Sequence, residues 1–171
     1  MKTINLCFRV HQRYNLKRYR FFEIGNDHYY YDDYANESAM ASAVEQSYLE
    51  ANRMLLDMIK SSNGRFRVSF SISGLALEQF EQYAPEVIES FQELAKTGSV
   101  EFLATPCGHS LSALYNDDEF EMQVKMQSDK IQELFGKRPT VFANSALLFS
   151  DDIADKVYRM GYKTIMIEDA K

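Results

Sequence analysis

RFRVSFSISGLALEQFEQYAPEVIESFQELAKTGSVEFLATP, residues 65–106, decides the fold. From Arg65 to Ser73, the residues Phe66, Val68, Phe70 and Ile72 alternate with polar ones, which is the period-2 signature of a strand. Leu77, Phe80, Val87, Ile88, Phe91 and Leu94 then recur at helical spacing and predict one buried helical stripe, closed by Gly98. Val100 to Pro106 returns to strand character. A strand, a helical segment and a second strand in this order make a parallel β/α unit with a right-handed crossover.

Working outward, the same unit recurs. Upstream, Ile4, Leu6, Phe8 and Val10 alternate with Asn5, Cys7, Arg9 and His11, so His11 falls at the carboxyl end of a first strand. Arg9 shares the face of His11, where a closed interior requires a buried ion pair, with Glu101 or Glu168 as its partner. Arg13 to Tyr34 breaks the pattern; its aromatic stretch RYRFFEIGNDHYYYDDY is long for a connection and reads as a functional loop. From about Asn36, the residues Met40, Val44, Tyr48, Ala51, Leu55, Met58 and Ile59 form one helical stripe ending at Asn63-Gly64. Downstream, Phe120, Val124, Ile131 and Leu134 mark a helix ending at Gly136, and Val141 to Leu148 a fourth strand. Asp151 to Met160 is a short helix with acids at its positive end, and Lys163 to Ile167 a fifth strand.

The expected fold is therefore α/β: a single domain over residues 1–171, shaped as a partial parallel (β/α) barrel of about five strands with flanking helices. Five strands are too few to close a barrel, so either the chain is a piece of a longer protein or another copy covers its open edges as a homo-oligomer. A flavodoxin-like sheet also uses five strands, but the turn after the first strand, HQRYN, has no glycine to admit a phosphate.

Composition narrows the function. With 46% hydrophobic and 26% charged residues the chain carries material for one substantial core. A net charge of -6 and a pI near 5.1 argue against nucleic acid, whose binders need clustered cations. No stretch approaches the roughly 20 apolar residues of a membrane span, and Asn5 and Arg9 interrupt the amino-terminal run. The expectation is a cytoplasmic protein without membrane contact. Cys7 and Cys107 lack metal-site spacing and read as buried free thiols, and nothing indicates a metal or other cofactor.

In parallel α/β proteins ligands gather at strand carboxyl ends. Here those positions hold His11 and Gln12, Ser73 and Gly74, Cys107 to His109, Asn144 to Ala146, and Glu168 and Asp169. This mixture of imidazole, amide, hydroxyl and carboxylate suits the hydroxyl-rich surface of a sugar, and equally many polar metabolites. Tyr29, Tyr30, Tyr31 and Tyr34 offer faces for sugar stacking or pack the long loop onto the rim. Asp32 and Asp33 are ligand contacts or stabilise the start of the following helix.

Four segments, FRVHQRYNLKRYRFFEIGNDHYYYDD, FSISGLALEQFEQYAPEV, VEFLATPCGHSLSAL and KRPTVFANSALLFSDDIADKVYRMGYK, resemble in order the blocks of the family 57 glycoside hydrolases. Together they cover nearly the whole chain. The resemblance implies the earlier strands of a seven-stranded irregular barrel of the glycoside hydrolase/deacetylase type, α-amylase-like, acting on α-1,4-glucan by a retaining mechanism. It also implies that His11 and His109 hydrogen-bond the hydroxyls of a maltooligosaccharide, with Gln12, Asn144 and Tyr31 as further candidate contacts. Retaining enzymes need two carboxylates about 5 Å apart. The family's nucleophilic Glu falls on Ala146, within Ala143-Asn144-Ser145-Ala146-Leu147, and its acid/base Asp belongs to a later strand, beyond Lys171. No catalytic residue is intact on this reading, because a methyl group cannot form a glycosyl-enzyme. Further departures are His11-Gln12-Arg13, where the family has His-Gln-Pro, and Cys107-Gly108, where it has an aromatic pair. Replacement by Ala143, Ala146 and Gly108 widens the expected pocket floor. Two other classes compete: a non-catalytic scaffold or carbohydrate-binding protein that assembles through open sheet edges, and a metal-dependent deacetylase built on the histidines with Asp32, Asp33 or Asp169. The clustered Asp-Asp and His-x-x-x-His of such deacetylases are missing.

Overall fold

The computed structural model of the chain describes residues 4–26 and 28–168. Its strands are β1 (Leu6–Val10), β2 (Val68–Ile72), β3 (Val100–Leu103), β4 (Val141–Ala143) and β5 (Thr164–Met166). β1, β2 and β3 pair in parallel in that order, and β4 pairs in parallel with β5. A parallel bridge between Ala104 and Phe142 joins the two sets, through Ala104 N–H to Val141 O and Ala143 N–H to Ala104 O, both 2.9 Å. Five strands thus run side by side in chain order. That is the winding of a barrel wall; a doubly wound sheet reverses direction at a switch point instead.

Helices cover one face. α1 (Asp33–Ala43) continues through a π turn at Val44–Tyr48 into α2 (Leu49–Ser61). Met40, Val44, Tyr48 and Asn52 turn inward at a strict spacing of four, twelve residues for three turns where an α-helix takes about eleven, and the π turn absorbs the excess. It also shifts the stripe by one position: Asn52 is buried where the sequence pattern chose Ala51, and Met58 is exposed. The single helix expected after β2 is two, α3 (Gly74–Tyr83) and α4 (Pro85–Lys96), because Pro85 lacks the N–H that would continue α3 and forces Ala84 out of helical geometry, at φ -154° and ψ 62°. α5 (Asp117–Phe135) starts on the Asn116 cap and stops at left-handed Gly136, φ 74°; α6 (Asp151–Arg159) starts on the Ser150 hydroxyl.

The core between sheet and helices is aromatic. Phe70 meets Phe91 edge-on at 5.1 Å between centroids, and Phe102 stacks on Phe135 at 4.3 Å. A second cluster, Phe120, Val124, Phe142, Ile153, Val157 and Tyr162, seals α5 and α6 on β4. Removing one such phenylalanine costs about 3–5 kcal/mol.

The opposite face carries Asn5, Ser69, Glu101, Leu103, Val141, Thr164 and Met166, which line a hollow of about 250 Å³. Two expectations are corrected, the ion pair of Arg9 and the burial of the two thiols. Arg9 is exposed, not buried in an ion pair, and Glu101 instead accepts a hydrogen bond from the Thr140 hydroxyl at 3.2 Å. Leu6 and Phe8 remain 39% and 40% exposed, since β1 is an edge strand. Cys7 and Cys107 are free but only half-buried. β2 departs the other way: flanked by a strand on each side, it buries Ser69 and Ser71 along with its apolar residues. The fourth strand is shorter than its apolar run, because the chain turns sharply after Ala143.

Candidate functional site

The carboxyl ends of β1, β2 and β3 bring His11, Ser73 and His109 together. The His11 Nδ1 and the Ser73 Oγ are 2.9 Å apart. The same hydroxyl caps α3 by accepting the Ala76 N–H at 3.2 Å, so one serine fixes both the helix start and the imidazole. The rings of His11 and His109 lie 4.7 Å apart between centroids, tilted by 32°. Burial holds the His11 pKa below its usual value; that of His109 is lowered first by burial, then by the charges of His11 and Arg9. Both shifts favour the neutral ring, which carries one donor and one acceptor nitrogen; on His11 the Nδ1 is already engaged by Ser73.

Cys107 packs directly on Gly74: a Cβ at that glycine would stand 2.0 Å from the Cys107 Sγ. Burial, then the Glu78 carboxylate, raises the thiol pKa, so the sulfur is a protonated packing group and not a nucleophile. Glu78, on α3, was not singled out in the sequence; it also contributes to a Tyr14 pKa pushed up to about 12, of which burial is the larger cause. It is thus a carboxylate beside both Cys107 and Tyr14.

Gln12 is half-buried beside His11, and its carbonyl accepts the Gln79 side chain at 3.0 Å. Asn144 is buried and spends its amide locally, donating to Leu148 O at 3.0 Å and accepting Ser145 N–H at 2.9 Å. These bonds close a turn that places Ala146, exposed, at φ 51° and ψ 20°, with Leu147 following at φ 53°. Of the four non-glycine residues with positive φ among the described residues, three (His109, Ala146 and Leu147) sit at this end of the sheet, which is where strain is expected of a functional surface. Within the same turn the buried Ser145 hydroxyl has no hydrogen-bond partner among the described residues.

Tyr31 packs on Tyr14 at 4.6 Å between centroids, tilted by 44°, and meets Tyr29 edge-on at 5.8 Å. Asp33 accepts hydrogen bonds from both Tyr29 and Tyr83, at 2.6 and 3.0 Å, while Asp32 caps α1 by accepting Ala35 N–H. Asn36 clasps the main chain of Asn15, and Leu16 bridges Tyr31 antiparallel, so the long loop is an ordered excursion tied to α1. Glu168 is exposed; Asp169 lies outside the described residues. Among the described residues no three His, Cys, Asp or Glu side chains are placed to hold a metal ion, and no helix is long and apolar enough to cross a membrane.

Gln79, Gln123 and Gln127 are the site-supporting residues that sequence reasoning missed. Their signal was polar residues on apolar stripes: Gln127 completes the series Phe120, Val124, Ile131 and is fully buried.

The family model for glycosyl hydrolase family 57 matches residues 5–171. A Methanocaldococcus jannaschii protein named "Putative alpha-amylase" is 31% identical over 168 residues, 96% of this chain and 35% of its own length. The chain therefore spans about a third of that relative. Among solved structures, the 4-alpha-glucanotransferase of Thermococcus litoralis superposes with a TM-score of 0.70 at 17% identity, over 96% of this chain and 23% of that one. The alpha-amylase AmyC of Thermotoga maritima gives 0.68 at 12% identity, over 95% and 39%. At these identities the structural likeness speaks for the partial β/α barrel fold.

Proposed function

Since this chain belongs to glycosyl hydrolase family 57, we propose that it supplies the His11–His109 side of an α-1,4-glucan site and, as it stands, binds maltooligosaccharide without cleaving it. The observation that carries this reading is the pair of imidazoles in contact at the ends of β1 and β3, both shifted toward the neutral form by burial. Such rings exchange hydrogen bonds with sugar hydroxyls at no cost in charge desolvation. Gln12 follows His11 with its main-chain carbonyl held by Gln79, Tyr31 and Tyr14 offer an aromatic pair, and Asn144 shapes the turn at the end of β4.

Cleavage is a different matter. Ala146 stands where the family's nucleophile belongs, and its methyl group cannot attack an anomeric carbon. The five strands are on this reading the first part of a seven-stranded barrel, and the proton donor comes from a strand this sequence does not contain. Calorimetric titration with maltoheptaose, against a β-linked glucan of similar length, tests the proposal. Saturable heat for the α-linked ligand alone supports it. Its absence from a folded sample, or hydrolysis of maltoheptaose by rigorously purified protein, overturns it.

A second reading, a non-catalytic scaffold that assembles through its open strand edges, is favoured by the half-exposed Leu6 and Phe8 on edge strand β1. A stable dimer in sedimentation, with no glucan heat, selects it.

A further inference from the structure

We infer that Gln123 is the positioning residue that holds His109 against His11. This rests on the glucan-site reading for its purpose but not for its geometry. α5 runs beneath the segment that leaves β3, and two of its glutamines, one turn apart, hold that segment along its length. Gln127 donates its amide to Ile72 O at 2.8 Å and Leu103 O at 3.2 Å and accepts Thr105 N–H at 3.2 Å, which locks the carboxyl ends of β2 and β3 together.

One turn earlier, Gln123 flanks His109 on both sides. Its Oε1 accepts Gly108 N–H at 3.2 Å and the Ser110 hydroxyl at 2.8 Å, while its main-chain carbonyl accepts Cys107 N–H at 3.2 Å. Its Nε2 donates to Glu119 Oε1 at 2.6 Å, which fixes which end of the amide faces the loop.

Between those two anchors His109 takes φ 52°, a left-handed conformation uncommon for a residue with a side chain, though more accessible to histidine than to most. The His109 N–H also closes a turn onto Pro106 O at 3.0 Å, and the ring faces that of His11 across the end of β2. Gly108 is part of the device: a Cβ there would stand 3.3 Å from Gln123 Oε1, so its absence lets the loop settle onto the amide. Gln127 is fully buried and supports the fold as a whole, whereas Gln123 is half-buried and acts on the loop.

The test reads the two rings directly. In the unmodified chain an NMR cross-peak between His11 and His109 ring protons is expected from their contact. Gln123→Met keeps length and helix propensity but removes both polar ends, and Gln123→Asn keeps the amide one carbon short. Each is expected to abolish that cross-peak while leaving the circular dichroism spectrum unchanged. The reciprocal exchange Glu119→Gln with Gln123→Glu preserves an acceptor for Gly108 and Ser110 and is expected to restore it. An undiminished cross-peak in either single variant, or no recovery in the exchange, overturns the inference. Maltoheptaose affinity falls about tenfold in Gln123→Met if the rings form the sugar site, which corresponds to losing one good hydrogen bond. A chain that binds no glucan but loses the cross-peak in Gln123→Met keeps the positioning role and refutes the glucan reading alone.

Discussion

The imidazoles of His11 and His109 meet 4.7 Å apart, although β2 lies between the strands that carry them. Two loops reach over the end of that middle strand to make the contact. The His11 side is fixed by Ser73, at the end of β2 itself, and the His109 side by α5, so the pair reports the integrity of three β/α units at once.

On the proposed reading, His11→Ala and His109→Ala each weaken maltoheptaose binding about tenfold, through loss of one or two hydrogen bonds to sugar hydroxyls. Both rings are only partly buried, so thermal denaturation is expected to change little. Calorimetry alongside a melting curve separates the two effects; equal affinity in both variants contradicts the assignment.

Stability should fall on acidification. Both histidines have folded-state pKa values lowered from the ordinary imidazole value, so below about pH 6.5 the unfolded chain takes up protons that the folded chain refuses. The stabilising contribution is complete above that pH and is lost as pH falls through the folded values. Melting temperatures measured from pH 7.5 to 5 should decline, and the double variant His11→Gln with His109→Gln should flatten that part of the decline. A double variant that declines as steeply as the unmodified chain assigns the effect elsewhere.

Ala146 and Leu147 occupy consecutive left-handed positions, each costing a side-chain-bearing residue roughly 1 kcal/mol. Ala146→Gly should therefore raise stability by about 0.5–1 kcal/mol, against the usual direction for glycine. Chemical denaturation measures it. On the proposed reading, Ala146→Glu, at an exposed position, should fold yet leave maltoheptaose hydrolysis at background, since a retaining cleavage needs a second, opposing carboxyl group.

Gly74 admits the Cys107 sulfur. Gly74→Ala should destabilise the chain by about 1–3 kcal/mol, since the new Cβ would stand 2.0 Å from Sγ. In a Cys107→Ala background most of that cost should disappear, because the remaining Cys107 Cβ is 3.2 Å away. Additive penalties in the double variant would show that the clash is relieved by backbone movement instead.

Much of the fold is written in local pattern. The period-2 run ending at His11, the stripes of α2, α4 and α5, and the stops at Gly98 and Gly136 each follow from neighbours within a few residues, and all appear in the structure close to where the pattern places them. Chain-order winding then follows from β/α alternation and the handedness of crossovers. For the same reason the candidate positions His11, Ser73, His109 and Ala146 could be found at strand ends before any contact was known.

What tertiary structure alone decided is how those ends are held and how much of the sheet is covered. A buried partner for Arg9 was a fair deduction from alternation, but burial depends on what faces the inner side of the sheet, and there Arg9 is exposed while Glu101 turns to Thr140. The left-handed geometry of His109 and Ala146 is not announced by a glycine at either position; it goes with hydrogen bonds that Gln123 accepts on both sides of His109 and that Asn144 makes on both sides of Ala146. Gln123 sits far along the chain from β1, yet it is what turns His109 toward His11. Periodicity records which face of an element is apolar. It cannot record which polar group across a fold accepts a given N–H, because that depends on three-dimensional proximity between residues that share no repeat.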